Sequence, residues 1–281
     1  MDHGFYKRLG MQTEQEKNKL VVLTETSEFM MAYVLYTLSG DCIIIDGGRP
    51  EDIPLLRERV KGRRIRAWFL THAHFDHVSA FFHLLRVRDA DFVFDRVYCN
   101  FPSMEYAAMT DDDDGESLRD YCELLPMFED RLVCVQTGDR IEIDEVTVEI
   151  VYHFDKRLNF HHKTINDTSI AFRLLTPTGS VMFLGDLGPE AGDVLVRDAS
   201  RDLTAEYCQM AHHGHGCVGP EVYMRIHPRV CIWNAPLWLW EEGDEEQDYR
   251  CYGVGRTRYW MKCLGVTEHI VTGNGSVEIL I

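Results

Sequence analysis

Ala67-Trp68-Phe69-Leu70-Thr71-His72-Ala73-His74-Phe75-Asp76-His77 decides how the chain is read. A continuous apolar run leads into four metal-binding side chains within six residues, and an apolar, helix-like run from Val78 to Val87 leads out. The stretch therefore reads strand, ligand loop, helix. His72, His74 and Asp76 are spaced by two. Neighbours at that spacing diverge on a helix and share one face of an extended segment. Asp76 and His77 are adjacent, so one of them points elsewhere. A curved loop can aim His72 and His74 at one metal and Asp76 and His77 at a second. Imidazole and carboxylate suit zinc, and also iron or manganese.

Working outward, the other candidates also sit where strands stop. Cys42-Ile43-Ile44-Ile45 is a β-branched run that ends in Asp46-Gly47-Gly48, where glycines let the backbone turn sharply. Ser180 to Leu184 ends in Gly185-Asp186, and that acid is either a cap for the helix opened by Pro189 or a ligand. Tyr207 to Met210 ends in Ala211-His212-His213-Gly214-His215-Gly216. Asn166-Asp167-Thr168-Ser169 opens a strand from Ile170 to Leu175.

Further strands are expected at 20–23, 30–38, 65–70, 96–100, 132–136, 141–143, 146–152, 205–210 and 230–233, and helices at 50–60, 117–130, 189–197, 220–226 and 256–264. Turns fall at Thr26 to Glu28, Gly138-Asp139, Asp144-Glu145 and Thr178-Gly179. Glu268 to Thr272 and Ser276 to Ile281 read as a hairpin over Gly273-Asn274-Gly275. The strands form two broad groups, 20–100 and 132–281, and the candidate ligands span both. One compact unit over 1–281 with its site at the junction is required. Two sheets packed face to face with helices outside, an α/β (α+β) four-layer αββα sandwich, satisfies this.

The order Asp46, His72 to His77, Asn166 to Ser169, Asp186, His212-His213-Gly214 resembles the metallo-β-lactamase superfamily, whose members are mostly two-metal hydrolases and share that sandwich fold. The resemblance covers nearly the whole chain. It implies that Asp46 supports the ligand loop by hydrogen bonds rather than ligating, and that Asp186 is the bridging carboxylate. Most members carry a histidine at the third motif, where this chain has Asn166. That departure, with Gly-Asp and His-His-Gly, resembles the ComEC-like branch, which includes the hydrolase domain of DNA-uptake competence proteins and phosphorylcholine esterases. The first metal is then expected on His72, His74 and Asp186, helped by Asn166 or Asp167. His213, before glycine, is the favoured ligand of the second metal, with His212 the runner-up. His215 is expected to touch substrate. Trp238 and Trp240 form a substrate wall or, alternatively, pack in the core or anchor a lid.

The implied activity is hydrolysis by a metal-bound hydroxide, with two divalent ions, zinc first and manganese or iron as alternatives. Asp76 and Asp186 are the expected catalytic carboxylates. A phosphodiester is the leading substrate, and a thioester, lactone or amide the alternative. A binding or regulatory protein that retains metals without turnover is the competing class. No glycine-rich phosphate loop precedes a helix, which argues against nucleotide-triphosphate chemistry.

Composition narrows the partners. With 45% hydrophobic and 27% charged residues the chain reads as ordinary globular protein. A net charge of −17 argues against strong nucleic-acid binding and favours a small or local phosphodiester over a long duplex. The basic residues Lys61, Arg63, Arg64 and Arg66 read as a solvated turn, and Asp111 to Glu116 as a solvated loop lacking calcium-loop spacing. His153, His161 and His162 lie in a polar, basic connection, and His161 or His162 is a minor candidate to line the site. Nine cysteines, an odd number with no Cys-x-x-Cys pair, suggest reduced thiols in a cytoplasmic protein, and Cys217 is the one to watch near the site. No apolar run reaches the ~18 residues of a membrane span. The oligomeric state has no signature in the sequence.

Overall fold

Buried strands in two groups, each flanked by amphipathic helices, assemble as two seven-stranded mixed sheets packed face to face. The computed structural model describes residues 16–110, 115–158, 160–241 and 253–281. In chain order the first half contains β1 (Lys19–Val22), β2 (Ala32–Tyr36), β3 (Cys42–Asp46), α1 (Ile53–Val60), β4 (Ile65–Phe69), α2 (Phe75–Val87), β5 (Phe94–Cys99), α3 (Met104–Ala107), α4 (Glu116–Leu124) and β6 (Leu132–Cys134). It continues with β7 (Arg140–Ile143), β8 (Val146–Tyr152), β9 (Ala171–Leu175), β10 (Ser180–Phe183), α5 (Pro189–Arg197), β11 (Tyr207–Gln209) and α6 (Pro220–Ile226). The chain closes with β12 (Val230–Trp233), α7 (Leu237–Glu241), α8 (Gly255–Cys263), β13 (Glu268–Val271) and β14 (Val277–Leu280).

The first sheet has the order β14-β1-β2-β3-β4-β5-β6 and the second β13-β12-β11-β10-β9-β8-β7. In each, one half is antiparallel and the other parallel. Strands buried on both faces read as continuous apolar runs, and their alternate residues serve two cores. Tyr33, Leu35, Ala67 and Phe69 face the opposite sheet, where Tyr33 meets Phe183 edge-on with ring centroids 4.9 Å apart and Phe69 lies 5.2 Å from Phe172. Val34, Trp68 and Leu70 face the helices, and Trp68 meets Phe81 of α2 at 5.0 Å. Burying each such side chain contributes roughly 1.5–3 kcal/mol. A third apolar layer covers the outer face of the second sheet under α5, α6 and α8.

Four expectations are corrected. β13 and β14 are no hairpin: β13 pairs in parallel with β12 in the second sheet, and β14 pairs antiparallel with β1 in the first. The Gly273 N–H is held by the Ala235 carbonyl at 3.0 Å, and a Cβ there would stand 2.5 Å from the Leu237 nitrogen. Glycine here permits a close crossing between sheets, not a two-strand turn. The simple split at residue 132 also fails, because β6 and β14 both join the first sheet. Locally, Asn166–Thr168 is a single 3-10 turn rather than the start of β9. The helix after the ligand loop begins at Phe75, so Asp76 and His77 lie in its first turn and His74 is its N-cap residue.

Eight free cysteines are described, five of them buried, and none forms a disulfide. Asp111 to Asp114 and residues 242–252, Cys251 among them, lie outside the described residues. Among the described residues no helix is long and apolar enough to cross a membrane.

Candidate metal centre

The ends of β3, β4, β9, β10, β11 and β12 meet at one edge of the sandwich, and this convergence builds the site. Asp46 ends β3 with a left-handed backbone at φ 52°. Its carboxylate is fully buried, and accepts from the Thr71 N–H at 2.7 Å and the Thr71 hydroxyl at 2.8 Å. Its Oδ2 also lies 2.8 Å from Nδ1 of His77. Burial raises the Asp46 pKa, an effect opposed by His77 and the Thr71 donors.

These contacts orient three imidazoles alike. His77 donates Nδ1–H to Asp46, which leaves Nε2 facing inward. The Thr71 hydroxyl, already donating to Asp46, accepts from Nδ1 of His72 at 3.1 Å, so His72 also turns Nε2 inward. His213 sets Nδ1 2.7 Å from the Asn234 carbonyl and so presents Nε2 as well. An outer acceptor that fixes each imidazole through its far nitrogen is what metal-ligating histidines require.

Asp186 stands among the three. Its Oδ2 lies 3.2 Å from His77 Nε2, 3.5 Å from His213 Nε2 and 3.8 Å from His72 Nε2. Asp76 Oδ2 lies 3.1 Å from His213 Nε2 and 3.6 Å from His77 Nε2. Two candidate groups result, His72–His77–Asp186 and Asp76–His77–His213, each with donor atoms within 4.8 Å of one another. The turn that delivers Asp186 depends on Gly185, at φ +54°, where a Cβ would stand 2.8 Å from Ser169 and 3.1 Å from Thr71.

The electrostatics are those of a site built for cations. Burial pushes the carboxyls of Asp76 and Asp186 up, yet His77 and His213 hold both below the usual carboxylate range. Burial pushes His77 down, but Asp186, Asp76 and Asp46 raise it well above its ordinary value. His213 is raised to about 10, against burial, chiefly by Asp186 and then Asp76. His72, dominated by burial and next by its neighbour His77, is lowered. Two buried atoms at the centre, His77 Nε2 and Asp186 Oδ1, have no hydrogen-bond partner among the described residues. Burying such groups unpaired is costly. Divalent cations answer both the orphaned atoms and the excess of carboxylate, so this donor set fits metal.

The structure thus brings together Asp46, His72, Asp76, His77, Asp186 and His213. It divides the ligands differently from two-plus-two: His77 belongs to both groups, while His74, its Nδ1 3.0 Å from His72 Nε2, belongs to neither. His212 also belongs to neither group, although Asp186 is the charge acting on it most strongly. Its Nε2 lies 3.3 Å from the Asn166 amide nitrogen, and its ring lies 4.1 Å from that of His215. Burial lowers the His212 pKa to about 3.

Asp167 is not brought to the cluster. Its carboxylate accepts from the Gly188 N–H at 2.8 Å and so caps α5, and burial raises its pKa to about 6. Adjacent residues of a tight turn point in different directions, which separates it from Asn166. His161 and His162 are exposed and offer backbone N–H groups to Glu190 at 2.8 and 2.9 Å. Cys217 is buried with its sulfur 3.5 Å from both the Tyr223 and Thr257 hydroxyls, outside the cluster. The basic residues at 63–66 are tied up: Arg63 stacks over Tyr36, and Arg64 and Arg66 pair with Asp41, Asp95 and Asp144.

Trp238 is half exposed and meets Phe29 edge-on at 5.2 Å, and Phe29 in turn lies 5.2 Å from His213 and 5.9 Å from His215. Sequence reasoning missed Phe29, the orienting hydroxyl of Thr71 and the carbonyl of Asn234. Thr71 lies within the motif itself. Phe29 falls between the expected turn at Thr26 to Glu28 and the expected strand at 30–38, and a backbone carbonyl has no residue signature.

Residues 30–209 match the family model described as the metallo-beta-lactamase superfamily. No curated protein matches the sequence. Among solved structures the chain is similar to the metallo-beta-lactamase fold protein YhfI of Bacillus subtilis, with TM-score 0.55, 11% identity, and 91% of this chain and 96% of that chain covered. A diphosphatase from the PhnP family matches with TM-score 0.51 and 12% identity over 94% of this chain and 97% of that one. The diiron β-hydroxylase CmlA of Streptomyces venezuelae matches with TM-score 0.55 and 13% identity over 99% of this chain, which spans only 59% of CmlA. At these identities the likeness is one of fold.

Proposed function

This chain belongs to the metallo-beta-lactamase superfamily, and on that premise we propose that it is a metal-dependent hydrolase with two divalent ions, zinc first, acting on a phosphodiester. The observation that supports this most is the common orientation of His72, His77 and His213, whose Nε2 atoms all face the Asp186 carboxylate. Asp186 would then help to hold both ions, Asp76 and His213 would hold one, and His72 would hold the other. His77, which belongs to both groups, completes the set. Bound divalent metal supplies acidified water near neutrality and polarises the bond to be cleaved.

The rest of the work falls to the chain's own residues. Asp46 and Thr71 fix two imidazoles so that little reorganisation accompanies binding. His74, outside both groups but with its ring beside His72, would be a further donor to the first ion. Asn166, hydrogen-bonded to His212, takes the place where relatives of the family usually carry a histidine. That substitution supports membership of the ComEC-like branch and, through it, a phosphodiester substrate. His212 and His215 are assigned to the substrate's polar groups, and Phe29 and Trp238 to its apolar side. Asp76, held below the usual carboxylate range, would take a proton from the attacking water only weakly. A small or local phosphodiester suits a chain with net charge −17.

The test is metal content of protein purified without added metal, paired with hydrolysis of bis-p-nitrophenyl phosphate after loading with zinc, manganese or iron. Two ions and metal-dependent turnover are expected. Turnover of a thioester or lactone but no phosphodiester overturns the substrate class, and absence of turnover on all of them under every loading overturns the hydrolase.

A further inference from the structure

A second concave region lies on the same edge of the sandwich. This groove of about 620 Å³ is lined by Asn100 and Phe101 after β5, Tyr106 of α3, Gln136 after β6, and His153 and Phe154 after β8. β5 is the neighbour of β4, which runs into His72, and β8 is the neighbour of β9, which follows Asn166. Neighbouring strands are ~4.8 Å apart, so on both sheets the groove begins about one strand spacing from the ligand loops. Its walls are tied to those loops. Tyr106 donates its hydroxyl to the Thr164 carbonyl at 3.4 Å, and Tyr152, just before His153, donates to the Asp167 carbonyl at 2.9 Å.

The lining has a definite chemistry. The Tyr106 and Phe154 rings lie 4.6 Å apart and are nearly buried beneath the groove, and Phe101, which packs edge-on against Tyr121 at 5.0 Å, is the partly exposed ring of the aromatic floor. Hydrogen-bonding groups stand at the edge. Nδ1 of His153 accepts from the Thr137 N–H at 3.0 Å, so in the neutral ring the proton sits on Nε2 as a fixed donor. Burial keeps that ring neutral by lowering its pKa. Asn100 commits its NH₂ to the Val135 carbonyl at 2.7 Å, which leaves its oxygen as an acceptor. Gln136 is exposed and offers both functions. The charges balance: Lys156 and Arg157 against Glu105 and Asp155, with Arg157 and Asp155 paired to each other. Such a groove favours neither a polyanion nor a polycation.

We propose that this groove is the subsite for an uncharged heteroaromatic arm of the substrate, a nucleobase or a ring of that kind, carried on the ester oxygen that is retained when the phosphodiester is cleaved. The inference rests on the phosphodiester reading above. The ring stacks on the aromatic floor while its edge meets the His153 donor, the Asn100 acceptor and the Gln136 amide. Stacking plus edge contacts is how single bases are held without reliance on charge.

The experiment compares kcat/KM of the metal-loaded full chain for thymidine 5′-p-nitrophenyl phosphate and methyl p-nitrophenyl phosphate, which share a leaving group and differ in the retained arm. A preference of about tenfold for the thymidine ester is expected. The ratio is expected to fall in Phe101→Leu and in Gln136→Ala, the latter at an exposed position that folding tolerates. Equal kcat/KM for the two esters, or a preference unchanged in both variants, overturns the subsite and leaves the phosphodiesterase standing. Binding of thymidine itself, read by saturation-transfer NMR and by shifts of the His153 ring signals, does not depend on turnover. If neither ester is hydrolysed but thymidine binds and Phe101→Leu weakens it, the subsite stands and the phosphodiester reading falls. If thymidine neither binds nor confers preference, the subsite is wrong.

Discussion

Asp46 Oδ2 lies 2.8 Å from Nδ1 of His77, and the same oxygen lies 2.8 Å from the Thr71 hydroxyl that steadies His72. One carboxylate that touches no candidate metal position therefore fixes two inward-facing imidazoles. Asp46→Asn is expected to keep the side chain's size while losing an acceptor. Metal affinity, measured by competition with a chromogenic chelator, should drop about 10- to 100-fold. Affinity equal to the parent's would show that the imidazoles hold their orientation without it.

Metal uptake should release protons. In the metal-free protein His77 is raised well above its ordinary value and His213 to about 10, so both carry protons at pH 7 that an ion must displace. About two protons per protein are expected from calorimetry in buffers of different ionisation enthalpy, and affinity should rise with pH. The sign for folding runs the other way. A histidine raised in the folded state stabilises below its unfolded value of ~6.5, and that stability is lost as pH rises through about 10. The metal-free melting temperature should therefore decline across that window. A flat profile would refute the charge pattern.

Asp186 and Asp167 separate function from support. Asp186→Asn removes the shared carboxylate and should cost turnover at least about a hundredfold and reduce bound metal. Asp167→Ala removes the cap of α5 and should leave metal content intact while lowering the melting temperature by about 2–4 °C, from a loss near 1 kcal/mol. Loss of metal in the Asp167 variant would place that carboxylate in the site after all.

Gly185→Ala tests the turn that presents Asp186. The added methyl meets Ser169 at 2.8 Å on a backbone at φ +54°. Destabilisation of about 1–3 kcal/mol is expected by chemical denaturation. A stability within 0.5 kcal/mol of the parent would mean that the turn relaxes freely.

The sandwich and most of the cluster could be read from the sequence because ligand-type residues stop at the ends of apolar runs. His72, His77, Asp186 and His213 announce themselves by chemistry and by the glycines beside them. Direction within a tight turn does not. Asn166 and Asp167 are adjacent, yet one reaches toward His212 and the other caps a helix. The pairing of β13 and β14 was illegible for a related reason. Gly273-Asn274-Gly275 has the composition of a hairpin turn, and only the closeness of Ala235 and Leu237 shows that the chain is changing sheets. The shared role of His77 depends on the helix starting at Phe75, a boundary that hydrophobic periodicity places three residues late.

The pairing of β1 with β14 also sets an order of events during synthesis. Lys19 and Glu278, joined across that ladder, are 259 residues apart. At ~5–20 residues per second a ribosome takes roughly 13–50 seconds to supply the second strand after the first. The candidate ligands His72, Asp76, His77, Asp186 and His213 have all been made before then. A nascent chain can thus own a complete set of ligands while Leu20 and Val22 still border an unpaired strand edge, the kind of surface that recruits neighbouring chains. Early metal capture during translation would hold the two sheets together through that interval.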